Sequence, residues 1–264
     1  MAIAVTQVSE SGEHASGNDR VLVAAKGRLR RLRKLTVLLR HPAWRRAMIK
    51  GVAASVEHRD VPFGPSFATI IDVGAHHGQF ALLARERYPA ADIICIEPLP
   101  DAVSRLRSVH GANTRTTIMP FAVGNAHEWR SLHVSRKSDS SSLLPILEPY
   151  VAAFPGTEEA TTIDVEVRTL DMLLEPGLRR PLLLKIDVQG GELEVIAGAE
   201  RILADVDAAY VECSFVEFYR GQALADEVIG AFLSHGLRLD GIYSVVRDSG
   251  GRCLQADMLF RRAP

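Results

Sequence analysis

Thr69-Ile-Ile-Asp-Val-Gly-Ala-His-His-Gly78 is the stretch that decides how the fold is read. A run apolar on both faces, Thr69 to Val73, leads into Gly74 and Gly78 and then into Gln79 to Tyr88, whose composition is helical. That order predicts strand, tight turn, helix, with the strand buried in a parallel sheet. Glycines in such a turn let the backbone pass a ligand where a Cβ would clash. The first helical amides, with the helix dipole, favour a carboxylate or phosphate there.

A second apolar run, Asp92-Ile-Ile-Cys-Ile96, ends in Glu97-Pro98, with Glu97 nineteen residues beyond Gly78. An acid at that strand tip is positioned to accept hydrogen bonds from both ribose hydroxyls of a nucleoside. Pro98 removes a donor and stops the strand. The loop is not the dinucleotide pattern G-x-G-x-x-G, and Asp72 stands where it would repel a pyrophosphate. An acid beside a helix N-terminus suits instead the ammonium and carboxylate of S-adenosylmethionine. The cofactor contacts expected on this reading are Asp72, Gly74, Ala75, Gly78, Glu97 and Pro98, with Ala122 and Val123 at the end of the third strand.

At 264 residues, 47% hydrophobic and with a net charge of -1, the chain is long enough for one sizeable domain and an appendage. Near neutrality argues against a partner bound by global electrostatics. No basic-then-apolar leader opens the sequence, and no stretch approaches the roughly 18 apolar residues of a membrane span, so a cytoplasmic location is expected. Cys95, Cys213 and Cys253 lie far apart inside strand-like runs, which suits reduced core thiols rather than a disulfide frame or a zinc site.

Residues 1–19 are polar and expected to be disordered. Residues 20–60 are expected to form a basic helical cap, and 61–264 the catalytic domain. Between Arg20 and Lys50 there are eleven basic residues and no acid, with Leu29, Leu32, Leu35 and Leu39 near helical period and His41-Pro42 dividing two helices. One reading packs this segment on the domain with its basic side in water. Others bring it to an anionic membrane surface or an acidic substrate; nucleic acid is not expected, for want of interleaved aromatics.

Beyond Glu97 the pattern predicts a helix from Asp101 to His110 and a strand from Thr116 to Val123. His127 to Val134 and Thr162 to Thr169 are expected as extra strands, separated by a long loop holding Ser138-Asp-Ser-Ser-Ser142 and read as a substrate-facing lid, against the alternative of a loose surface loop. Further on, strands are expected at Pro181 to Val188 and Ala208 to Cys213, helices at Glu192 to Leu203 and Ala223 to His235, and a closing hairpin at Leu237 to Val246 and Cys253 to Phe260. The whole is an α/β fold, a doubly wound and mostly parallel sheet with a reversed edge strand and an N-terminal helical extension. Asp72, Glu97, Asp187 and Glu212 all fall at or near carboxyl ends of strands, where such sheets bind ligands.

Taken together, Asp72-Val-Gly-Ala-His-His-Gly78, Glu97-Pro98, Ser140-Ser-Ser-Leu143, Thr169-Leu-Asp171, Lys185-Ile-Asp-Val-Gln-Gly-Gly-Glu192 and Asp257-Met-Leu-Phe260 resemble the FkbM family of S-adenosylmethionine-dependent methyltransferases over roughly residues 69–261. His76 stands where an asparagine is common, and Gln189 where glutamate is usual. The resemblance implies a Rossmann-like class I methyltransferase fold and O-methylation of a hydroxyl on a sugar, glycolipid or secondary metabolite. The chemistry asks the protein to align an acceptor oxygen and exclude water, helped by a general base. Asp187 is the candidate base or substrate anchor, against the alternative that it pairs with Lys185 or caps a helix. His77 is the second catalytic candidate, against a solvent-facing loop histidine. Ser141, Ser142, Glu192 and Glu212 are candidate substrate contacts, and no ligand spacing demands a metal. A nicotinamide-dependent oxidoreductase and a non-catalytic scaffold with a basic arm remain the alternatives.

Overall fold

The computed structural model describes residues 35–263. The expected disordered tail and the basic positions from Arg20 to Lys34, with Leu29 and Leu32, lie outside the described residues.

Seven strands form the main sheet: β1 (Thr69–Val73), β2 (Asp92–Ile96), β3 (Thr116–Met119), β7 (Leu182–Ile186), β8 (Ala208–Ser214), β9 (Leu237–Arg247) and β10 (Cys253–Arg262). Their order across it is β3-β2-β1-β7-β8-β10-β9. The first five run parallel, and β10 is antiparallel to both β8 and β9. The reversed strand is therefore one in from the edge, and β9 lies outside it.

The period of two along β1 explains the double winding. Ile70 packs with Phe80, Ala81 and Leu106 on one face, while Ile71 and Val73 pack with Val195, Ile196 and Leu203 on the other. Leu183 repeats this against Leu182, Leu184 and Ile186 in β7. Both faces are covered by helix, which is why these strands read as unbroken apolar runs. On the first face lie Gln79–Arg87 (α2) and Pro100–His110 (α3); on the second lie Glu192–Ala197, Glu200–Asp205 and Ala225–Ser234. Each fully buried Ile or Leu here contributes about 1.5–3 kcal/mol.

The single strand expected from Thr116 to Val123 is two. Pro120 interrupts the ladder, and Ala122–Val123 (β4) leaves the main sheet to pair with Glu159–Arg168 (β6), itself paired with Glu128–Ser135 (β5). The helix expected from Glu192 to Leu203 is likewise split, around Gly198. Asp171 accounts for the second piece: its carboxylate accepts hydrogen bonds from Arg201 N and Ile202 N, 2.8 and 3.0 Å away, fixing that helix's first turn. Its place in the motif is structural.

Residues 35–40 are helical, His41 breaks the run, and Pro42 opens the next helix, Pro42–Ile49 (α1). Leu38, Trp44 and Ala47 are buried against Leu82 and Leu83 of α2, while Arg40, Arg45, Arg46 and Lys50 are exposed. The turn-rich stretch from Val61 to Ser66 packs into the core, where Phe63 stands edge-on to Tyr210 at 4.9 Å.

Candidate active site

One cleft of about 1340 Å³ opens along the carboxyl ends of the strands, bordered by the glycine turn, Glu97, Asp187, Glu212, the loop after β5 and the segment before β1. It gathers Gly74, Ala75, His77, Glu97, Pro98, Ala122, Val123, Ser141, Ser142, Asp187 and Glu212 from the expected set. Asp72, Gly78 and Glu192 do not border it.

The turn is built on close packing. A Cβ on Gly74, at φ +76°, would lie 1.8 Å from the Asp187 carbonyl oxygen; one on Gly78 would meet His110 and Leu106 at 2.5 Å. Close packing against neighbouring protein is thus one reason for glycine at both positions, and Gly74 also borders the cleft. The turn also places His76 at φ +46°, its Nε2 2.8 Å from Ser138 Oγ and its ring stacked on His77 at 3.7 Å. Burial lowers both imidazoles to about 4, so both rings are neutral at pH 7.

Glu97 lies at the tip of β2, 4% exposed. Its two carboxyl oxygens accept from His76 N at 2.8 Å and Leu99 N at 2.9 Å. Each oxygen keeps a second lone pair, and the side chain borders the cleft. Burial raises its carboxyl to about 7 despite those two amides.

Asp72 is fully buried, beneath the cleft rather than in it. Lys185 Nζ stands 3.3 Å from its Oδ1, yet neither oxygen receives a hydrogen bond among the described residues. Expected as a direct cofactor contact, it is a buried counter-charge instead. Burial outweighs Lys185 and holds its carboxyl above the usual range. The same ammonium also lies 3.3 Å from Asp187 Oδ2 and from Gly74 O. Burial opposes its charge, but Asp187 and Asp72 together hold the ammonium above its ordinary value.

Asp187 follows β7 directly, with its side chain 35% exposed to the cleft. Gln189 Nε2 donates to its Oδ1 at 2.8 Å. Burial alone would raise this carboxyl, but Lys185 and Gln189 bring it below the usual range. The same Nε2 donates to Glu212 Oε2 at 2.8 Å. Burial and then repulsion from Asp187, Asp257 and Glu192 push the Glu212 carboxyl well above its ordinary value. Gln189 Oε1 in turn faces the hydroxyls of Tyr219 and Tyr150 at 2.8 and 3.3 Å, and its carbonyl accepts from Ser142 Oγ at 2.6 Å. A glutamine thus joins two carboxyl groups that a glutamate would have repelled, and this follows from the departure at position 189.

Glu192 is 3% exposed and its Oε1 accepts from Gly190 N at 3.1 Å. The expected substrate contact is a loop brace, committed to the backbone away from the cleft. Burial lifts its carboxyl from 4.5 to about 7. Folding therefore favours the protonated form, and the stability this contributes below pH 4.5 is lost as pH rises to about 7. Glu192→Gln should be more stable than the native protein at pH 8, by up to roughly 3 kcal/mol, with the gain gone at pH 4.5. Urea melts at the two pH values check this; equal gains at both would refute it.

His58 and Asp257, which sequence reasoning did not weigh as site residues, also border the cleft. A lone histidine in the short helix Val56–His58 carries no motif, so only the folded arrangement reveals it.

Residues 72–239 match the family described as the methyltransferase FkbM domain. The chain is 30% identical over 160 residues to the 2-O-methyltransferase NoeI of Sinorhizobium fredii, covering 58% of this chain and 66% of that protein. It is 30% identical over 145 residues to the hexuronic acid methyltransferase AglP of Haloferax volcanii, covering 53% and 54%. Against the 31-O-demethyl-FK506 methyltransferase FkbM of Streptomyces tacrolimicus it is 26% identical over 190 residues, covering 63% and 71%. In the first two, the match spans less than two thirds of the relative's own length.

Proposed function

The chain belongs to the FkbM methyltransferase family, and from that premise we propose that it is an S-adenosylmethionine-dependent O-methyltransferase acting on a hydroxyl of a sugar, glycolipid or secondary metabolite. The observation that carries this is Glu97, an acceptor-rich carboxyl at the tip of β2 facing the cleft beside the glycine turn. The named activities of the relatives, a 2-O-methyltransferase and a hexuronic acid methyltransferase, support oxygen as the methylated atom.

The donor set fits the cofactor. Glu97 has acceptor capacity for a vicinal diol, and Leu99, Phe121, Ala122 and Val123 offer an apolar wall for a base. The first amides of α2 lack partners within their own helix and suit a carboxylate. At about 1340 Å³ the cleft exceeds the roughly 300–1,000 Å³ of a single-ligand site, leaving room for an acceptor beside the cofactor. When bound, S-adenosylmethionine supplies an electrophilic methyl group. The protein's task is then positioning, which contributes several kcal/mol. Asp187, held ionised by Lys185 and Gln189, is suited to accept a hydrogen bond from an acceptor hydroxyl and so to orient it. Ser141 and the loop that carries it line the same cleft.

Calorimetric titration with S-adenosylmethionine and, separately, NAD tests the class. Micromolar affinity for the first and none for the second is expected. Glu97→Ala should weaken the first by about 1–3 kcal/mol, roughly 5- to 150-fold, through lost ribose hydrogen bonds. Native affinity in that variant would remove the ribose site from Glu97.

A further inference from the structure

His58 comes from Val56–His58, outside the matched residues 72–239, yet it borders the same cleft as Glu97 and Asp187. Its Nδ1 lies 3.0 Å from Tyr210 Oη and 3.4 Å from Asp257 Oδ2. Phe80 and Tyr210 stand edge-on to the ring at 6.2 and 5.4 Å, and the side chain is 17% exposed. The ring is thus fixed through one nitrogen, while Nε2 has no partner among the described residues. Burial holds the Asp257 carboxyl above its ordinary value, but where it is ionised it can only accept; the shared proton then sits on Nδ1 and Nε2 keeps its lone pair.

We propose that His58 is the proton acceptor of the methyl transfer, with Asp257 and Tyr210 as positioning residues; this rests on the methyltransferase reading above. The acceptor oxygen's lone pair forms the O–C bond to the methyl group. The S–C bond breaks with its electrons going to sulfur, and the hydroxyl proton passes to His58 Nε2. The nearby carboxyls are poor rivals for that proton. Asp187 is held below the usual carboxylate range by Lys185 and Gln189, against its burial, and is therefore a weak base. Glu212 is held well above its ordinary value by burial and by the carboxyls around it, and its Oε2 already accepts from Gln189. The titratable groups around the ring come from four strands: Tyr210 from β8, Asp257 from β10, Asp72 from β1, and Lys185 with Asp187 from β7 and its end. This division lets one carboxylate orient the hydroxyl while an imidazole takes the proton, as in a base held by an acid.

Two readouts test the proposal on the full chain. In protein labelled with ¹⁵N-histidine, the His58 resonances at pH 8 should show the Nδ1–H tautomer, and Asp257→Asn should erode that preference; an Nε2–H tautomer in the native protein overturns the proposal whether or not an acceptor is known. The second readout is tritium transfer from methyl-labelled S-adenosylmethionine to whichever p-nitrophenyl glucuronide, rhamnoside or fucoside the native protein methylates. His58→Gln should keep cofactor affinity and KM within about twofold and lose about a hundredfold in kcat. A kcat within threefold of native, in a variant that binds the cofactor normally, also overturns it. Failure of the native protein to bind S-adenosylmethionine would instead strike at the methyltransferase reading itself.

Discussion

Lys185→Met is expected to destabilise the protein by about 3–5 kcal/mol at pH 7, because it strands a buried charge. Lys185 is the counter-charge 3.3 Å from both Asp72 and Asp187. Asp187 is partly open to the cleft and can fall back on Gln189 and solvent. Asp72 is 0% exposed with no hydrogen-bond donor among the described residues, so it must ionise without compensation or take up a proton. Its native carboxyl is already raised by burial, and removing Lys185 raises it further. A raised acid favours folding in its protonated form, so the penalty should shrink as pH falls toward 4. The double variant Lys185→Met, Asp72→Asn should recover most of the loss at pH 7 in urea melts. Additive losses would show that Lys185 acts by packing alone and not by charge.

Gly74→Ala should be comparably severe, at about 2–5 kcal/mol, from two separable causes. A left-handed φ of +76° costs a residue with a Cβ about 1–2 kcal/mol, and forcing that atom to within 1.8 Å of the Asp187 carbonyl costs roughly a further 1–3 as the strand end shifts. Gly177→Ala separates them, since Gly177 has φ +81° but nothing within 4 Å of where an alanine methyl would stand. The difference between the two variants in chemical denaturation measures the collision. If Gly177→Ala loses as much as Gly74→Ala, the close approach of β1 and β7 contributes nothing. Because the displaced carbonyl belongs to Asp187 itself, the cleft should be disturbed along with stability.

The parallel sheet was legible because β1, β2 and β7 are apolar on both faces and each ends at an acid or a glycine turn. Glu97 was legible for the same reason, since strand-tip chemistry is set by position along one segment. Asp72 was legible as an acid but not in its role: a period-two pattern gives the face of a side chain, not the lysine from β7 that the register sets beside it. Glu192 reads as a first-turn acid either way, and only the fold shows its carboxyl turned to Gly190 N. The strand from Thr116 to Val123 failed because Pro120 hands the chain between two sheets, a change of partner with no local signature beyond the proline. His58 was out of reach for a simpler reason. Its partners lie 152 residues away at Tyr210 and farther still at Asp257.

Gln189 shapes how the cleft meets its ligands. Held at φ +57°, it bonds Asp187 and Glu212 on one side, Tyr150 and Tyr219 on another, and the Ser142 hydroxyl through its own carbonyl. The loop that forms the outer wall is thereby pinned in the protein alone, and the entropy of ordering that wall is lost during folding rather than at association. On the proposed function, recognition in this half of the cleft would work by fit to a rigid shape, with a misfitting acceptor excluded by collision and unpaired polar groups rather than by failure to trigger a closure.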